Sequence, residues 1–333
     1  MAVNLEEARK LLPEVRKELM SKPNVVAIGV GYKVVKGEQT KNLALICSVD
    51  TKKSKSSLSA KELIPASVQN IPTDVYATGI ISALVDRKNR IRPAPGGVSI
   101  GHKDITAGTL GCLVKKGNKI FILSNNHVLA NSNNANIGDS ILQPGPADGG
   151  RYPQDQIANL SEIIPIVFEE EESTCPIANA AAAIMNGLGF IVGSKTRLRS
   201  IRKQVAENLV DCAIAEPFKL DDVKNEIVDI GTISGLVKAN LDMDIQKSGR
   251  TTEYTTGQII QIDVTSRVSY GPNKVATFVD QLMAGAMSEG GDSGSVVLSM
   301  DKKLVGLLFA GSTSTTVINP IQYVFDALNI TLP

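Results

Sequence analysis

Histidine and cysteine are scarce in this chain, and their spacing excludes the common zinc sites. The sequence of 333 residues has two histidines, His102 and His127, and four cysteines. The cysteines stand far apart, at positions 47, 112, 175 and 212, and form no C-x-x-C pair. Because structural zinc sites need several such ligands at close spacing, we expect no metal ion and no cofactor.

Strong net charge and long apolar runs are lacking as well. The formal net charge is +1 at pH 7, so the balance of charge does not favour binding to nucleic acid or to anionic lipid. No stretch approaches the roughly 20 apolar residues of a spanning helix, and the acidic first residues do not resemble a signal peptide. We therefore expect a soluble, cytoplasmic protein with reduced cysteines, whose partner is a protein or a small molecule and not nucleic acid or a membrane.

Residues 1–86 have the pattern of a small α+β domain. Asn4 can cap a helix that ends before Pro23, and strands are predicted over 25–32, 42–49 and 74–81, with a turn near 36–37 and a short helix over 60–63. Charge, proline and glycine are concentrated over 87–101, which predicts a linker. The role of the first domain stays open between regulation, a pro-region and oligomerisation.

Residues 102–333 show many short apolar runs separated by turn residues, the pattern of a sandwich or barrel. An insertion is predicted at about 165–205, where four acidic residues, an alanine-rich helix over 177–185 and a basic stretch follow one another. The chain ends in a helix after Pro320 whose apolar residues share one face. We expect that face to dock on the barrel.

The segment Ser-Glu-Gly-Gly-Asp-Ser-Gly-Ser, residues 288–295, raises the question of whether Ser293 is a nucleophile. A serine needs a base, usually a histidine that a carboxylate orients. His127 directly follows an apolar strand and can serve, whereas His102 is interpreted as a surface residue. No histidine follows Ser293, which excludes the order of the α/β-hydrolases and leaves the order histidine, aspartate, serine.

Four motifs in that order resemble the trypsin-like (chymotrypsin-fold) serine peptidases. They are Gly-Asp-Ser-Gly at 291–294, the histidine after a strand at 123–128, Asp211 before an apolar strand, and residues 248–257, which are similar to a stretch of the bacterial α-lytic-protease and streptogrisin branch. The resemblance covers about 108–332. It implies a mainly β fold, a chymotrypsin-like double β-barrel with a C-terminal helix, preceded by the small α+β domain.

The resemblance also implies the roles of particular residues. Ser293 would attack the scissile carbonyl, His127 would act as base and then acid, and Asp211 would hold the imidazole. The remaining implied roles are an oxyanion hole from the amides of Gly291 and Ser293, a buried pair of Asp292 with Lys247, a specificity pocket based on Met287, and a substrate-binding wall of Phe309, Ala310 and Gly311. No carboxylate stands at the pocket base, which favours cleavage after a small or aliphatic residue.

Two positions depart from the family pattern, and alternatives to the enzyme remain. Val128 replaces the second cysteine of a bridge that Cys112 would begin, and Phe309 replaces a serine that supports the aspartate. If Asp211 is not the triad carboxylate, Asp139 or Asp148 is next. The competing functions are a catalytically silent scaffold for protein binding and a structural protein that cuts itself within 87–97, and a homo-oligomer is possible.

Overall fold

The computed structural model describes residues 4–35, 38–79, 81, 85–105, 107–203, 207–272 and 274–333. Contacts divide the chain into two units, Met1–Val85 and Asp86–Pro333. Each unit is described by itself below. None of the helices in the described ranges is both long and apolar enough to cross a membrane.

The first unit is the α+β domain that the sequence predicts. Its elements are α1 (Leu5–Met20), β1 (Val25–Val35), β2 (Glu38–Val49), β3 (Ser67–Val68) and β4 (Ile71–Ala77). The sheet has the order β1-β2-β4-β3, and the apolar side of α1 packs on it.

Local sequence explains how α1 begins. Asn4 forms a capping box with Glu7, and its side chain accepts a hydrogen bond of 3.1 Å from the amide of Glu6. The helix predicted over 60–63 is instead a turn, and the last strand begins and ends earlier than predicted. The turn predicted at 36–37 lies outside the described residues.

The second unit is mostly β-structure. Its first half contains β5 (Ala94–Gly96), β6 (Ser99–His102), β7 (Gly108–Thr109), β8 (Cys112–Lys116), β9 (Lys119–Ser124), α2 (Asn126–Leu129), β10 (Ser140–Leu142), β11 (Gln156–Ile163), β12 (Glu170–Glu172), α3 (Pro176–Ile191), β13 (Ile201–Lys203) and β14 (Glu207–Asn208). Its second half contains β15 (Ala213–Pro217), β16 (Val223–Ile227), β17 (Gly235–Leu236), β18 (Asp244–Gly249), β19 (Glu253–Ser269), β20 (Val275–Gly285), β21 (Val296–Ser299), β22 (Lys303–Gly311), β23 (Thr315–Pro320) and α4 (Ile321–Leu328).

Strand pairing closes two barrels in this unit. In the first barrel, β7 and β8 are consecutive parts of one stretch of chain, and the pairs run β7-β6-β10-β11-β15-β9-β8. In the second barrel, the pairs run β20-β19-β18-β21-β22, and β23 closes the ring by pairing with both β22 and β20. Closure leaves few free strand edges. Each barrel also encloses its own apolar core. The predicted mainly β fold is confirmed.

The stretch 87–101 is part of the second unit and not the predicted linker. Arg87 is 3% exposed, and one of its amino groups donates to Ser248 Oγ and to the carbonyl of Gly249, each at 2.8 Å. Its other amino group pairs with Asp229. β5 pairs with β16, and β6 belongs to the first barrel. Composition predicted a linker, but this arginine finds internal partners that lie more than 100 positions away.

The insertion and the C-terminal helix follow the predicted pattern in outline. β12 and β13 form an antiparallel pair, with Glu170 opposite Lys203, and α3 lies between them in the chain. α3 is longer than the predicted helix. The last predicted residues of the insertion, 204 and 205, lie outside the described ranges. α4 buries the apolar face that was expected to dock, which consists of Ile321, Val324, Phe325 and Leu328.

Candidate active site

His127 and Asp211 form a hydrogen-bonded pair at the wall of a cleft. His127 lies in α2, directly after β9, and Asp211 lies two residues before β15. Nδ1 of His127 is 2.6 Å from Oδ2 of Asp211, and the backbone amide of His127 donates to Oδ1 at 3.2 Å. These strands are neighbours in the barrel, which is why residues 84 positions apart meet. The pair leaves Nε2 as the ring nitrogen available for other contacts.

Asp211 is completely buried, and several groups hold it in place. Its backbone amide donates to Oδ1 of Asn319 at 3.0 Å, and its carbonyl accepts from Nδ2 of Asn125 at 2.7 Å. Neither asparagine is marked by a sequence motif. A buried carboxylate that accepts several hydrogen bonds is fixed in position and can hold an imidazole in one orientation.

Tyr270 is a residue of the site that sequence reasoning missed. Its hydroxyl donates to Oδ2 of Asp211 at 2.8 Å, and its ring meets the His127 ring edge to face at a centroid distance of 5.6 Å. Burial, the nearby charge of Asp211 and this hydrogen bond raise the pKa of Tyr270 well above its usual value. The hydroxyl therefore stays protonated and donates. Because Tyr270 directly follows β19 and lies outside every motif, no local signal pointed to it.

Ser293 lies in the same cleft as His127. The cleft has a volume of about 1000 Å³, and both residues line it together with Tyr270 and Phe309. The Oγ of Ser293 donates to the carbonyl of Phe309 at 3.4 Å. In the described part of the chain, no hydrogen bond joins this hydroxyl to the His127 ring. The structure thus brings the serine to the site without linking it directly to the imidazole.

The turn before Ser293 presents two backbone amides without a protein acceptor. Among the described residues, neither the amide of Gly291 nor that of Ser293 donates a hydrogen bond. The turn requires glycine at position 291, because φ is +99° there and a Cβ would lie 2.5 Å from Arg250 Nη1 and Thr251 Oγ1. The Gly291 carbonyl accepts from Thr109 Oγ1 at 2.9 Å, which ties this turn to the first barrel.

Lys247 and Asp292 form a buried ion pair beneath the turn, as predicted from the resemblance. Both side chains are fully buried, and Nζ lies 3.3 Å from Oδ2. Burial alone would raise the pKa of Asp292, but the charge of Lys247 and hydrogen bonds from Thr252 and from backbone amides leave it lowered. Thr251 and Glu289 supply two of those amides, at 2.8 and 3.0 Å. The single lysine contact is thus supplemented by four other donors to the carboxylate.

The second histidine is buried, so the prediction of a surface residue is wrong. His102 is 1% exposed, and its Nε2 lies 3.1 Å from Oδ2 of Asp139. The amide of Asp104 donates to Nδ1 of His102 at 3.2 Å, which places the proton of a neutral ring on Nε2. β6 carries His102 to the middle of a sheet, where a carboxylate and a backbone amide satisfy the ring.

The two other candidate carboxylates contact different partners. Asp139 pairs with His102, and Asp148 forms a two-pronged pair with Arg250 in which the distances are 2.5 and 2.6 Å. The described hydrogen bonds of the His127 ring lead to Asp211 alone. The geometry therefore favours Asp211 as the carboxylate that orients His127.

Met287 lies at a second cleft, of about 800 Å³, which Ser293 also lines. Met287 is 4% exposed, and its Sδ lies so close to Gly257 that a Cβ there would be 2.8 Å away. Thr255 Oγ1 donates to the carbonyl of Met287 at 2.8 Å and holds the segment in place. The one carboxylate among the lining residues is that of Glu289, which is exposed.

The predicted substrate-binding wall lies at the end of β22. Phe309, Ala310 and Gly311 all line the first cleft, and Ala310 and Gly311 line the second cleft as well. The Phe309 ring is buried and packs against Phe278 at a centroid distance of 4.7 Å. The Phe309 side chain has no hydroxyl that could bond Asp211. A hydroxyl hydrogen bond to that carboxylate comes from Tyr270 instead.

Several solved structures of bacterial serine proteases are similar to this chain. Thermobifida fusca Protease A is 14% identical, with a TM-score of 0.46, and the match covers 72% of this chain and 97% of that one. Nocardiopsis Protease is 17% identical, with a TM-score of 0.44 and the same coverage. An α-lytic protease homolog is 13% identical, with a TM-score of 0.42, over 72% of this chain and 99% of its own. No family model and no curated protein matches the sequence.

Proposed function

We propose that this protein is a serine endopeptidase that hydrolyses peptide bonds through Ser293, His127 and Asp211. One observation carries the proposal: a buried carboxylate holds Nδ1 of an imidazole at 2.6 Å in the cleft that also contains Ser293. The amides of Gly291 and Ser293, which find no acceptor among the described residues, give further support.

Each group has a definite chemical part in this reaction. Oγ of Ser293 forms a bond with the scissile carbonyl carbon while His127 Nε2 takes the hydroxyl proton. The negative charge that develops on the carbonyl oxygen is met by the amides of Gly291 and Ser293. His127 then protonates the leaving amine as the carbon–nitrogen bond breaks, and water hydrolyses the resulting ester by the same sequence of steps.

The serine hydroxyl must rotate for this chemistry. It donates weakly to the Phe309 carbonyl at 3.4 Å, and a change of its χ1 rotamer redirects Oγ without moving the backbone. The hydrogen bond between a nucleophile and its base commonly tightens only when substrate is bound. The ion pair of Lys247 with Asp292 holds the turn in this position in the uncut chain.

We propose cleavage after small or aliphatic residues, on the strength of the cleft at Met287. The buried thioether of Met287 lines this cleft. The one carboxylate among the lining residues, that of Glu289, is exposed, so the buried part of the lining provides no charge for a basic side chain. Profiling with a peptide library should give the highest kcat/KM for alanine or valine before the cut. A preference for lysine or arginine there would contradict this assignment of the pocket.

Tyr270→Phe should lower kcat by roughly 10- to 100-fold and leave KM unchanged. The substitution keeps the ring beside His127 but removes the donor to Asp211, and a hydrogen bond to a charged group contributes about 1.5–3 kcal/mol. Tyr152→Phe is the matched control, since Tyr152 is an exposed tyrosine. Steady-state kinetics and a thermal melt check this positioning role. An unchanged kcat would refute it. A lower Tm together with a changed KM would also refute it, because that result would indicate a structural role.

The described contacts weigh against a protein whose main event is self-cleavage within 87–97. Ala94 and Gly96 are buried, and β5 pairs with β16. A peptidase binds its substrate as an extended segment, which residues 94–96 cannot offer without leaving the sheet. Exposed peptides of other proteins are therefore the better substrates, and the catalytically silent scaffold remains the alternative that covalent labelling separates from the enzyme.

A further inference from the structure

The helix α3 carries a large apolar surface that the described residues do not cover. No residue of α3 is buried. Seven large apolar side chains in α3 and directly after it are between 55% and 82% exposed: Ile177, Ile184, Met185, Leu188, Phe190, Ile191 and Val192. Monomeric proteins rarely expose contiguous patches of this kind, and larger patches commonly mark interaction sites.

One side of α3 is attached to its own chain by asparagine side chains. Asn186 exchanges two hydrogen bonds with the backbone of Leu198, of 2.9 and 2.7 Å. Two helical turns earlier, Asn179 donates to the carbonyl of Ser173 at 2.8 Å and contacts the hydroxyl of Ser200. Because Asn179 and Asn186 are seven residues apart, they lie on the same side of the helix. That side faces the returning segment of the insertion.

The opposite side of α3 has the spacing of a helix–helix seam. Its residues follow one another at intervals of four and three: Ile177, Ala181, Ile184, Leu188 and Ile191. This is the a/d spacing of a heptad, and it places the two asparagines at position f, the position most remote from the seam. All five seam residues are exposed. The geometry of α3 therefore suits a second helix and not a flat surface.

The chemistry of α3 does not suit a lipid bilayer. The helix has 16 residues, which is short of the roughly 20 needed to span the hydrocarbon core. No lysine, arginine, aspartate or glutamate occurs within it, whereas helices that lie in the membrane interface have a strongly charged face. A helix that is apolar on most sides is normally buried, and because α3 is too short to span a bilayer, we infer that protein covers it.

We propose that α3 pairs antiparallel with the α3 of a second copy of this chain, through the seam defined by residues 177, 181, 184, 188 and 191. An identical helix presents the matching seam, and no charge on α3 opposes the contact. The flanking charges set the direction. Acidic residues of β12 precede the helix, and the exposed Lys195 and Arg197 stand closest in sequence after its C-terminal end. Antiparallel pairing places the basic end of one copy beside the acidic end of the other.

Light scattering coupled to size-exclusion chromatography tests this pairing on the full chain across a range of concentrations. We expect the wild type to approach the mass of two chains as concentration rises. Ile184→Glu, which buries a charge in the seam, should stay monomeric. Ala183→Glu adds the same charge at the neighbouring exposed position off the seam, and it should still dimerise. A monomeric wild type, or equal dissociation of both variants, would overturn the proposal.

Two further measurements test whether the seam binds a second chain or lipid, and whether the paired helices are antiparallel or parallel. Sedimentation with phosphatidylcholine–phosphatidylglycerol vesicles should leave the wild type in solution, and binding that Ile184→Glu abolishes would assign the seam to lipid instead. In a Cys175→Ser background, chains with Ile177→Cys should form disulfides with chains carrying Ile191→Cys under mild oxidation. Disulfides between two Ile177→Cys chains alone would indicate a parallel pair and contradict the antiparallel arrangement. None of these readouts depends on peptide hydrolysis.

Discussion

Ser293→Ala lowers kcat by about 10⁶-fold if Ser293 is the nucleophile, which is the scale of loss seen when one member of a catalytic triad is removed. The variant keeps the turn, the buried ion pair beneath it and the free amides, so its substrate affinity should change little. What it loses is the oxygen that becomes bonded to the substrate carbon. His127→Ala should give a loss of the same order, because serine and histidine act as one unit.

The measurement is steady-state hydrolysis of the best peptide from the library, with the wild type and the variants purified in parallel. Ser314→Ala is the matched control, since Ser314 is an exposed serine, and it should keep the wild-type rate. Thermal unfolding of each variant excludes misfolding as the cause. Retention of more than about 1% of the rate in Ser293→Ala would assign the chemistry to another residue.

Asp211→Asn should lower kcat by about 10⁴-fold, the loss expected when the imidazole is held in the wrong tautomer. The asparagine amide would donate toward Nδ1 of His127 and move the ring proton to Nε2. The nitrogen that must accept the serine proton would then already carry one. Asparagine matches aspartate in size, and its remaining oxygen can still accept from the backbone amide of His127. The Tyr270 hydroxyl, which faces the same atom as the imidazole, can accept from the new amide nitrogen, so the fold should be retained.

Asp139→Asn provides a matched control for this substitution. It makes the same chemical change at the other histidine–carboxylate pair, where Asp139 contacts His102 at 3.1 Å. That pair lies in the sheet and does not contact Ser293, so the rate should stay within a few-fold of wild type. Equal losses in both variants would indicate a structural effect, and a normal rate in Asp211→Asn would mean that Asp211 is not the functional carboxylate.

Sequence motifs predicted the contacts of the site well where they lay on strands of one barrel. His127 follows β9 and Asp211 precedes β15, and these strands pair, so their meeting follows from the predicted barrel. The contact of Lys247 with Asp292 was predicted from the resemblance in the same way. The catalytic roles of these residues remain predictions until kinetics are measured.

The missed features depend on long-range contacts with no local signal. Tyr270 reaches Asp211 from the end of a long strand, 59 positions along the chain. His102 was interpreted as a surface residue and Arg87 was placed in a linker, yet both are buried and each finds a partner far away in sequence. The helix over 177–185 was predicted, but its exposed seam became evident only from the hydrogen bonds of Asn179 and Asn186 to neighbouring segments of the insertion. Local composition predicts elements, and partners decide burial.

Reaction with an active-site fluorophosphonate tests the central claim most directly. The reagent forms a covalent bond only with a serine whose proton a neighbouring base removes and whose developing oxyanion is stabilised. Peptide mass spectrometry of the wild type should place the single adduct on Ser293, with no adduct in Ser293→Ala and a slow reaction in Asp211→Asn. An unlabelled wild-type protein, or an adduct on any other residue, would contradict the account and favour the catalytically silent scaffold.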